Sequence, residues 1–369
     1  MKLKLKNTPE QVELIKALAS KDQTVAREAA EAFAAFIGPV VQKVLSQAGT
    51  APMIYTDNEF DEDDNPSIPL DLYQGTDVGH VSVWAQNVAG GLPTSEVTGM
   101  QEMKIATYRL DSAVSFLKRY ARRARLDVVS KAIERMTQEV LVKQERNAWA
   151  VVLKALAEAS TNSLKHVVGS DTAGTFSVGD LNKLMTRIKR INTSFANGTP
   201  ASFDSKGLTD LFVSPEIMQD IRGFAYNPVN TVGNKSTGPV TLPNNVREEI
   251  FRAAGSSEIY GVTLHELVEL GLSKKYNTLF VEFASGQSVI GGGGSGTFDA
   301  TGDEQIIVGM DLGREAFIRP VARQAESGGQ FTVLPDDQFV SRAEKTGFYG
   351  FLEEGRVCLD ARAVVGIAV

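Results

Sequence analysis

Cysteine is almost missing from this sequence, with Cys358 its only occurrence. An intrachain disulfide is excluded, and the chain must rely on packing in a reducing environment. Cys358 itself sits in the apolar run Arg356-Val357-Cys358-Leu359, which reads as a buried structural thiol. Histidine is scarce as well: His80, His166 and His265 stand far apart. His265-Glu266-Leu267-Val268-Glu269 lacks the second histidine of a zinc-binding helix, so His265 reads as a strand residue. No uninterrupted apolar run reaches the roughly 18 residues of a membrane-spanning helix. Positive charge is in deficit too, with 38 Lys and Arg against 45 Asp and Glu, a formal net charge of -7. Such a chain does not coat nucleic acid or an anionic membrane with its whole surface.

Two motif-like stretches also lack what their chemistry needs. GGGGSG at 291–296 formally satisfies G-x-G-x-x-G, but no helix pattern follows to aim a positive dipole at a phosphate. It reads as a loop. The acidic run 57–64 suggests calcium, yet Glu62 and Ile68 occupy the places where a helix–loop–helix calcium site needs glycine and glutamate. It reads as a solvated linker. No catalytic, metal or cofactor site is expected, and the chain is not expected to be an enzyme.

What is present is a globular composition, 43% hydrophobic and 22% charged over 369 residues, enough for two or three lobes. Thr8-Pro9-Glu10-Gln11 predicts a helix start with a capping box. Helical spacing continues through Val12, Ile15, Ala19, Val25, Ala29, Phe33, Phe36 and Ile37 until Gly38-Pro39 predicts an interruption. Between about 67 and 118, alternation on both sides of the turn cluster 87–94 predicts a long two-stranded ribbon, with Trp84 on one arm and Leu92 at the turn. From about Asp127 to Ala159 there is neither proline nor glycine, which predicts one helix of about 50 Å. The remainder reads as mixed α/β. Ser177 and Ser214 cap helices, Asp180 completes a capping box, and 227–245 is a loop ahead of a short helix at 246–254. Strands are expected at 210–213, 259–267, 279–283, 305–312, 316–321, 331–334, 348–352, 356–359 and 363–369.

A lone two-stranded ribbon is marginal in water, and its open edges invite pairing. The amphipathic N-terminal arm has no obvious core of its own. Both are therefore expected to lie on other copies of the chain.

This order of parts resembles the major capsid proteins of tailed bacteriophages with the Hong Kong 97-type fold. LTDLFVSPEIMQDIRGF (208–224) is similar to that family's axial-domain strand and Ser-Pro-started helix. EIYGVTLHELVELG (258–271) with NTLFVEFASG (277–286) resembles two consecutive axial strands, and FYGFLEEGRVCLDARAVVGIAV (348–369) resembles the terminal strands. The resemblance implies an α+β capsid fold: an N-terminal arm (1–66), an extended β-hairpin loop (67–118) and a peripheral domain with the spine helix (119–169). An axial domain (170–304) and return strands (305–369) complete it. It further implies self-assembly as hexamers and pentamers into an icosahedral head around double-stranded DNA, without sequence-specific DNA binding and without a membrane. The virion would be its location and the host cytoplasm its place of assembly. A separate scaffolding protein is expected, because the chain enters the arm soon after Met1, together with a portal and a decoration protein. An encapsulin-like nanocompartment shell is the alternative.

The candidate inter-subunit contacts follow. The basic cluster Arg119, Arg122, Arg123 and Arg125 is expected to meet the acidic residues Asp61, Asp63 and Asp64 of a neighbour through a salt-dependent contact. Trp84 and Leu92 on the ribbon, with Phe33 and Phe36 on the arm, supply the apolar contacts.

Overall fold

The computed structural model describes residues 8–20, 22–61, 64–69, 102–123, 126–159, 165–195, 207–224, 258–291, 296–298, 304–323, 330–336 and 345–369. Helices α1 (Pro9–Leu18), α2 (Gln23–Gln47) and the single turn α3 (Ala51–Ile54) come first. Strands β1 (Thr56–Asp61), β2 (Ser67–Pro69), β3 (Glu102–Lys104) and β4 (Thr107–Leu117) follow. The short helix α4 (Lys118–Arg122) precedes α5 (Leu126–Ala159). Next are β5 (Val167–Gly169), α6 (Val178–Phe195), β6 (Asp210–Val213) and α7 (Pro215–Gly223). The chain continues with β7 (Glu258–Ile259), β8 (Val262–Glu266), α8 (Lys275–Ala284) and β9 (Ile290–Gly291). Strands β10 (Ile306–Met310), β11 (Phe317–Arg323), β12 (Thr332–Asp336), β13 (Lys345–Gly355), β14 (Val357–Cys358) and β15 (Val364–Ala368) complete the set.

These elements form two compact units, each gathered from separated stretches of chain. The first comprises 1–68, 103–148 and 317–357. Its sheet is organised on β13, which pairs antiparallel with β4 from Lys345↔Leu117 to Gly355↔Thr107. Strand β13 also pairs with β12 and, through Val321↔Glu354, with β11. Every second residue of β13 faces the core: Phe348, Gly350, Leu352 and Glu354 are all buried. A Cβ at Gly350 would stand 2.6 Å from the Phe331 ring, so glycine is what lets that ring approach the strand. Phe33 of α2 packs 5.2 Å from Phe348, and the same core holds Ile15, Leu18, Ile37 and Val41 with Ile133, Met136 and Val140 of α5.

The second unit, 69–102, 149–316 and 358–369, holds a seven-stranded sheet in the order β7-β8-β6-β10-β15-β5-β9. Strands β6, β10 and β15 are buried at every position, as strands covered on both faces must be. Leu181, Leu184, Ile188 and Ile191 of α6 pack on it, as do Ile217, Met218 and Ile221 of α7. The α6 start is the expected capping box: Asp180 N–H donates to Ser177 Oγ at 3.2 Å, and Ser177 N–H donates to Asp180 Oδ2 at 3.0 Å. Ser214 Oγ accepts from Ile217 N–H at 3.3 Å to start α7. Trp149 of α5 is fully buried in this unit between Phe212, at 5.1 Å, and Tyr276, at 5.6 Å.

Several expectations are corrected. Helix α2 runs through Gly38-Pro39 without a break. The carbonyl that Pro39 cannot bond is that of Ala35, and both residues are exposed, so the unbonded carbonyl lies on the solvent side of the helix, where the loss costs least. Thr8 starts α1 without a side-chain cap, and the buried Gln11 Oε1 has no partner among the described residues, so the expected Thr8–Gln11 capping box is not seen. The arm is not coreless: its apolar face is spent on β12, β13 and α5 of its own chain. The second ribbon arm is not free beyond Thr107, since β4 pairs with β13 throughout. The acidic linker is in part strand β1, parallel to β11 from Thr56↔Ile318 to Asp61↔Arg323. Residues 279–283 lie in helix α8 rather than in a strand. A turn at Tyr260-Gly261 splits the strand expected at 259–267 into β7 and β8. The expected ribbon from 70 to 101, the loop at 227–245 and the helix at 246–254 lie outside the described residues.

Candidate assembly surfaces

The basic cluster straddles α4. Arg119 and Arg123 are exposed, and Arg119 lies over the Tyr120 ring at 5.1 Å. Arg122 Nε donates to the Ala19 carbonyl at 3.5 Å, placing a cation at the C-terminus of α1, where the helix dipole favours it. Asp61 ends β1 and Asp64 follows it, both exposed. Arg125, Asp63, Trp84 and Leu92 lie outside the described residues. No ion pair joins Arg119, Arg122 or Arg123 to Asp61 or Asp64 among the described residues. Phe33, expected in a contact between copies, is 2% exposed within its own unit and packs on Phe348 of β13. Phe36, three residues on, is 50% exposed. Around it Ala32, Ala35, Pro39 and Val40 are exposed as well, an apolar stripe on the side of α2 turned away from its core.

A buried charge cluster underlies the first unit. Glu354 is fully buried; its Oε2 accepts from Arg319 Nε at 2.7 Å and from Gln144 Nε2 at 3.1 Å. Its Oε1 accepts from Tyr108 OH at 2.8 Å and from Arg356 Nη2 at 3.3 Å. Burial alone would raise the Glu354 carboxyl, but the Arg356 and Arg319 guanidiniums hold it below its ordinary value. Burial, with the Glu354 carboxylate beside it, pushes the Tyr108 hydroxyl up to about 12. Arg319 reaches on to Asp57 of β1 at 3.2 Å, which ties the acidic strand to the sheet. The signal was in the sequence, since period-two alternation from Phe348 puts Glu354 on the inward face. A Glu-Glu-Gly-Arg string reads first as a turn.

The second unit has polar groups of other kinds. His265 Nε2 lies 2.7 Å from Asp210 Oδ1, and its ring stacks on Phe212 at 5.0 Å. Burial raises and the His265 and Thr209 hydrogen bonds lower the Asp210 carboxyl, with a net fall. The His265–Asp210 hydrogen bond joins β8 to β6, whose main chains pair in parallel at the same place. His166 Nδ1–H donates to the Val364 carbonyl at 2.9 Å, and burial lowers its pKa. Burial first, and then the Asp360 charge, push the Cys358 thiol up to about 12, far from a reactive thiolate. Among the described residues, no group of three or more His, Cys, Asp and Glu could hold a metal ion, and no helix is long and apolar enough to cross a membrane.

Lys183, Arg187 and Arg190 on α6, with Asn182 and Thr186, line an open groove of about 460 Å³ floored by Gly169, Gly179 and Gly291. This groove is hard to see in the sequence because apolar Leu184, Met185 and Ile188 of the core face interrupt the cations of 183–190, whereas those of 118–125 stand closer together.

No protein-family model matches the sequence, and no curated protein matches it. Solved structures do. The capsid of cyanophage Pam1 is 12% identical and matches 88% of this chain and 92% of its own, at a TM-score of 0.50. The capsid of cyanophage P-SCSP1u is also 12% identical, covers 85% and 86%, and scores 0.49. The SrpI encapsulin of Synechococcus elongatus, 13% identical over 73% and 75%, scores 0.37, too low to bear on the fold. Over the length matched by the Pam1 capsid, this chain has the α+β fold of a phage capsid protein.

Proposed function

We propose that this chain is the major capsid subunit of a tailed-phage head. It assembles as hexamers and pentamers into an icosahedral shell around double-stranded DNA. The fold likeness to the Pam1 capsid over 88% of the chain carries this reading. Under it, 1–66 is the N-terminal arm, 67–118 the extended loop, and 119–169 the peripheral domain with its spine helix. Residues 170–304 are the axial domain, and 305–369 the return strands. A scaffolding protein, a portal and a decoration protein are its partners, the host cytoplasm its place of assembly and the virion its final location.

Contacts between copies use what the chain leaves open. The exposed stripe around Phe36 and Val40 offers apolar area that no element covers among the described residues of its own unit. Arg119 and Arg123 meet Asp61 and Asp64 of a neighbour, a contact that salt weakens. Each such contact is weak, and a closed shell sums many of them.

Negative-stain microscopy of the purified chain, alone and with a scaffolding partner, tests the proposal. Uniform closed particles with fivefold and sixfold capsomers are expected. Monomers that persist at every concentration, or particles that close around co-purified enzyme cargo, would overturn it.

A further inference from the structure

We propose that the α6 groove binds phosphodiester groups, and that its occupant is the backbone of duplex DNA; the choice of DNA rests on the capsid reading above. The residues 181–195 contain no Asp or Glu, while Lys183, Arg187, Lys189 and Arg190 fall among them. On a chain of net charge -7 this is a local reversal of sign. Arg187 and Arg190 sit one helical turn apart on the groove side, and Lys183 lies one turn before Arg187. Arg187 is held in place, because its Nε donates to the Lys165 carbonyl. That leaves the guanidinium's Nη groups for a ligand. Lys183 is already engaged by Asp171 at 2.5 Å and Asp180 at 3.3 Å, so Arg187, whose Nη groups line the groove, is the primary anion-binding group, with Arg190 beside it on the same lining.

The rest of the lining suits phosphate. Thr186 and Asn182 provide a hydroxyl and an amide, the neutral donors that accompany arginine on nucleic-acid backbones. A Cβ at Gly291 would stand 2.8 Å from the Lys165 Cβ and 3.5 Å from Arg187 Nη2, so glycine there keeps the groove beside the guanidinium open. The groove is an open trough rather than a closed pocket, which fits a polymer passing through it. Recognition is of charge and spacing, without base contacts, so binding is insensitive to sequence and steeply sensitive to salt.

The experiment measures binding of the full chain to a fluorescein-labelled DNA duplex across a salt series, and images particles of the same preparations. Three variants are compared with wild type: Arg190→Glu, Arg187→Gln with Arg190→Glu, and Lys189→Glu. Lys189 lies on the same helix but does not line the groove. The double variant is expected to lower the slope of log affinity against log salt by about 2, since each B-DNA phosphate contact contributes about 0.9. The single groove variant lowers it by about 1, and Lys189→Glu leaves it unchanged. Circular dichroism checks folding, and Arg190→Glu alone keeps the test valid if Arg187→Gln unfolds the chain.

Equal losses in the groove variants and in Lys189→Glu would mean general electrostatics and overturn the proposal. So would polyglutamate competing as well as DNA, which would assign the groove to an acidic protein surface. Inorganic phosphate that binds where the duplex does not would overturn the phosphodiester assignment. Particle formation is scored separately: variants that assemble but lose DNA affinity uphold the groove, and a wild type that binds DNA without forming shells removes the capsid reading alone.

Discussion

Glu354 shows what one side chain does for the first unit. Two guanidiniums, a phenol and an amide converge on a carboxylate with no solvent exposure. Such a cluster adds little net stability over a well-packed apolar one, because desolvating the charges offsets their attraction. Removing one member is different, for it leaves the others buried and unbalanced. Glu354→Gln is expected to cost about 3–5 kcal/mol in chemical denaturation, although its shape is unchanged. A loss below about 1 kcal/mol would mean that Arg319 and Arg356 do not depend on the charge. The pH dependence has a definite sign. The folded carboxyl lies below its ordinary value, so its contribution is full above the unfolded value of about 4.3 and is lost as pH falls through the folded one. The thermal midpoint of the wild type should fall in acid below about pH 4, and that of Glu354→Gln should fall less steeply.

At the scale of elements, the sequence was legible wherever a local signal and the tertiary outcome agreed. Helices α5, α6 and α7 were readable from caps and periodicity, and β6, β10 and β15 from short apolar runs. Helix α8 was not. Over five residues, Leu279 to Phe283 fits a strand period and a helix period equally well. The decisive residue is Asn277, fully buried, whose Nδ2 donates to the Glu304 carbonyl at 2.9 Å and whose Oδ1 accepts from Ile306 N–H at 3.0 Å. Those partners are about thirty residues away in the chain, so no local pattern reports them. With Asn277, buried Tyr276, Phe280 and Ala284 then fall at helical steps. Asn277→Ala should cost about 2–4 kcal/mol, because a buried N–H and a carbonyl lose their partner together. A variant as stable as wild type would show that α8 does not need this anchor. The arm and β1 were missed for a related reason: Phe33 of the arm packs on Phe348 of β13, and Thr56 of β1 pairs with Ile318 of β11, partners far beyond the reach of any local pattern.

For the molecule as a whole, the question is which side of α2 belongs to the subunit and which to its neighbours. The arm's inner face is committed, since Phe33, Ile37 and Val41 are buried against the unit's own sheet and α5. The pull of an unsatisfied apolar arm toward other copies is therefore gone, and under the proposed capsid function the outer stripe is the face of α2 left to supply association. The two faces give opposite outcomes for phenylalanines three residues apart. Phe33→Ala removes a ring 2% exposed and should destabilise the monomer by about 3–5 kcal/mol, seen as a lower unfolding midpoint. Phe36→Asp alters a half-exposed ring and should shift that midpoint by less than about 1 kcal/mol. Its effect belongs to assembly, where a charge in an apolar contact is repeated at every copy. Particle yield by light scattering should fall sharply for Phe36→Asp while its circular dichroism matches wild type. If Phe36→Asp assembles normally, the outer face of α2 is not a contact between copies, and the shell must be held together elsewhere.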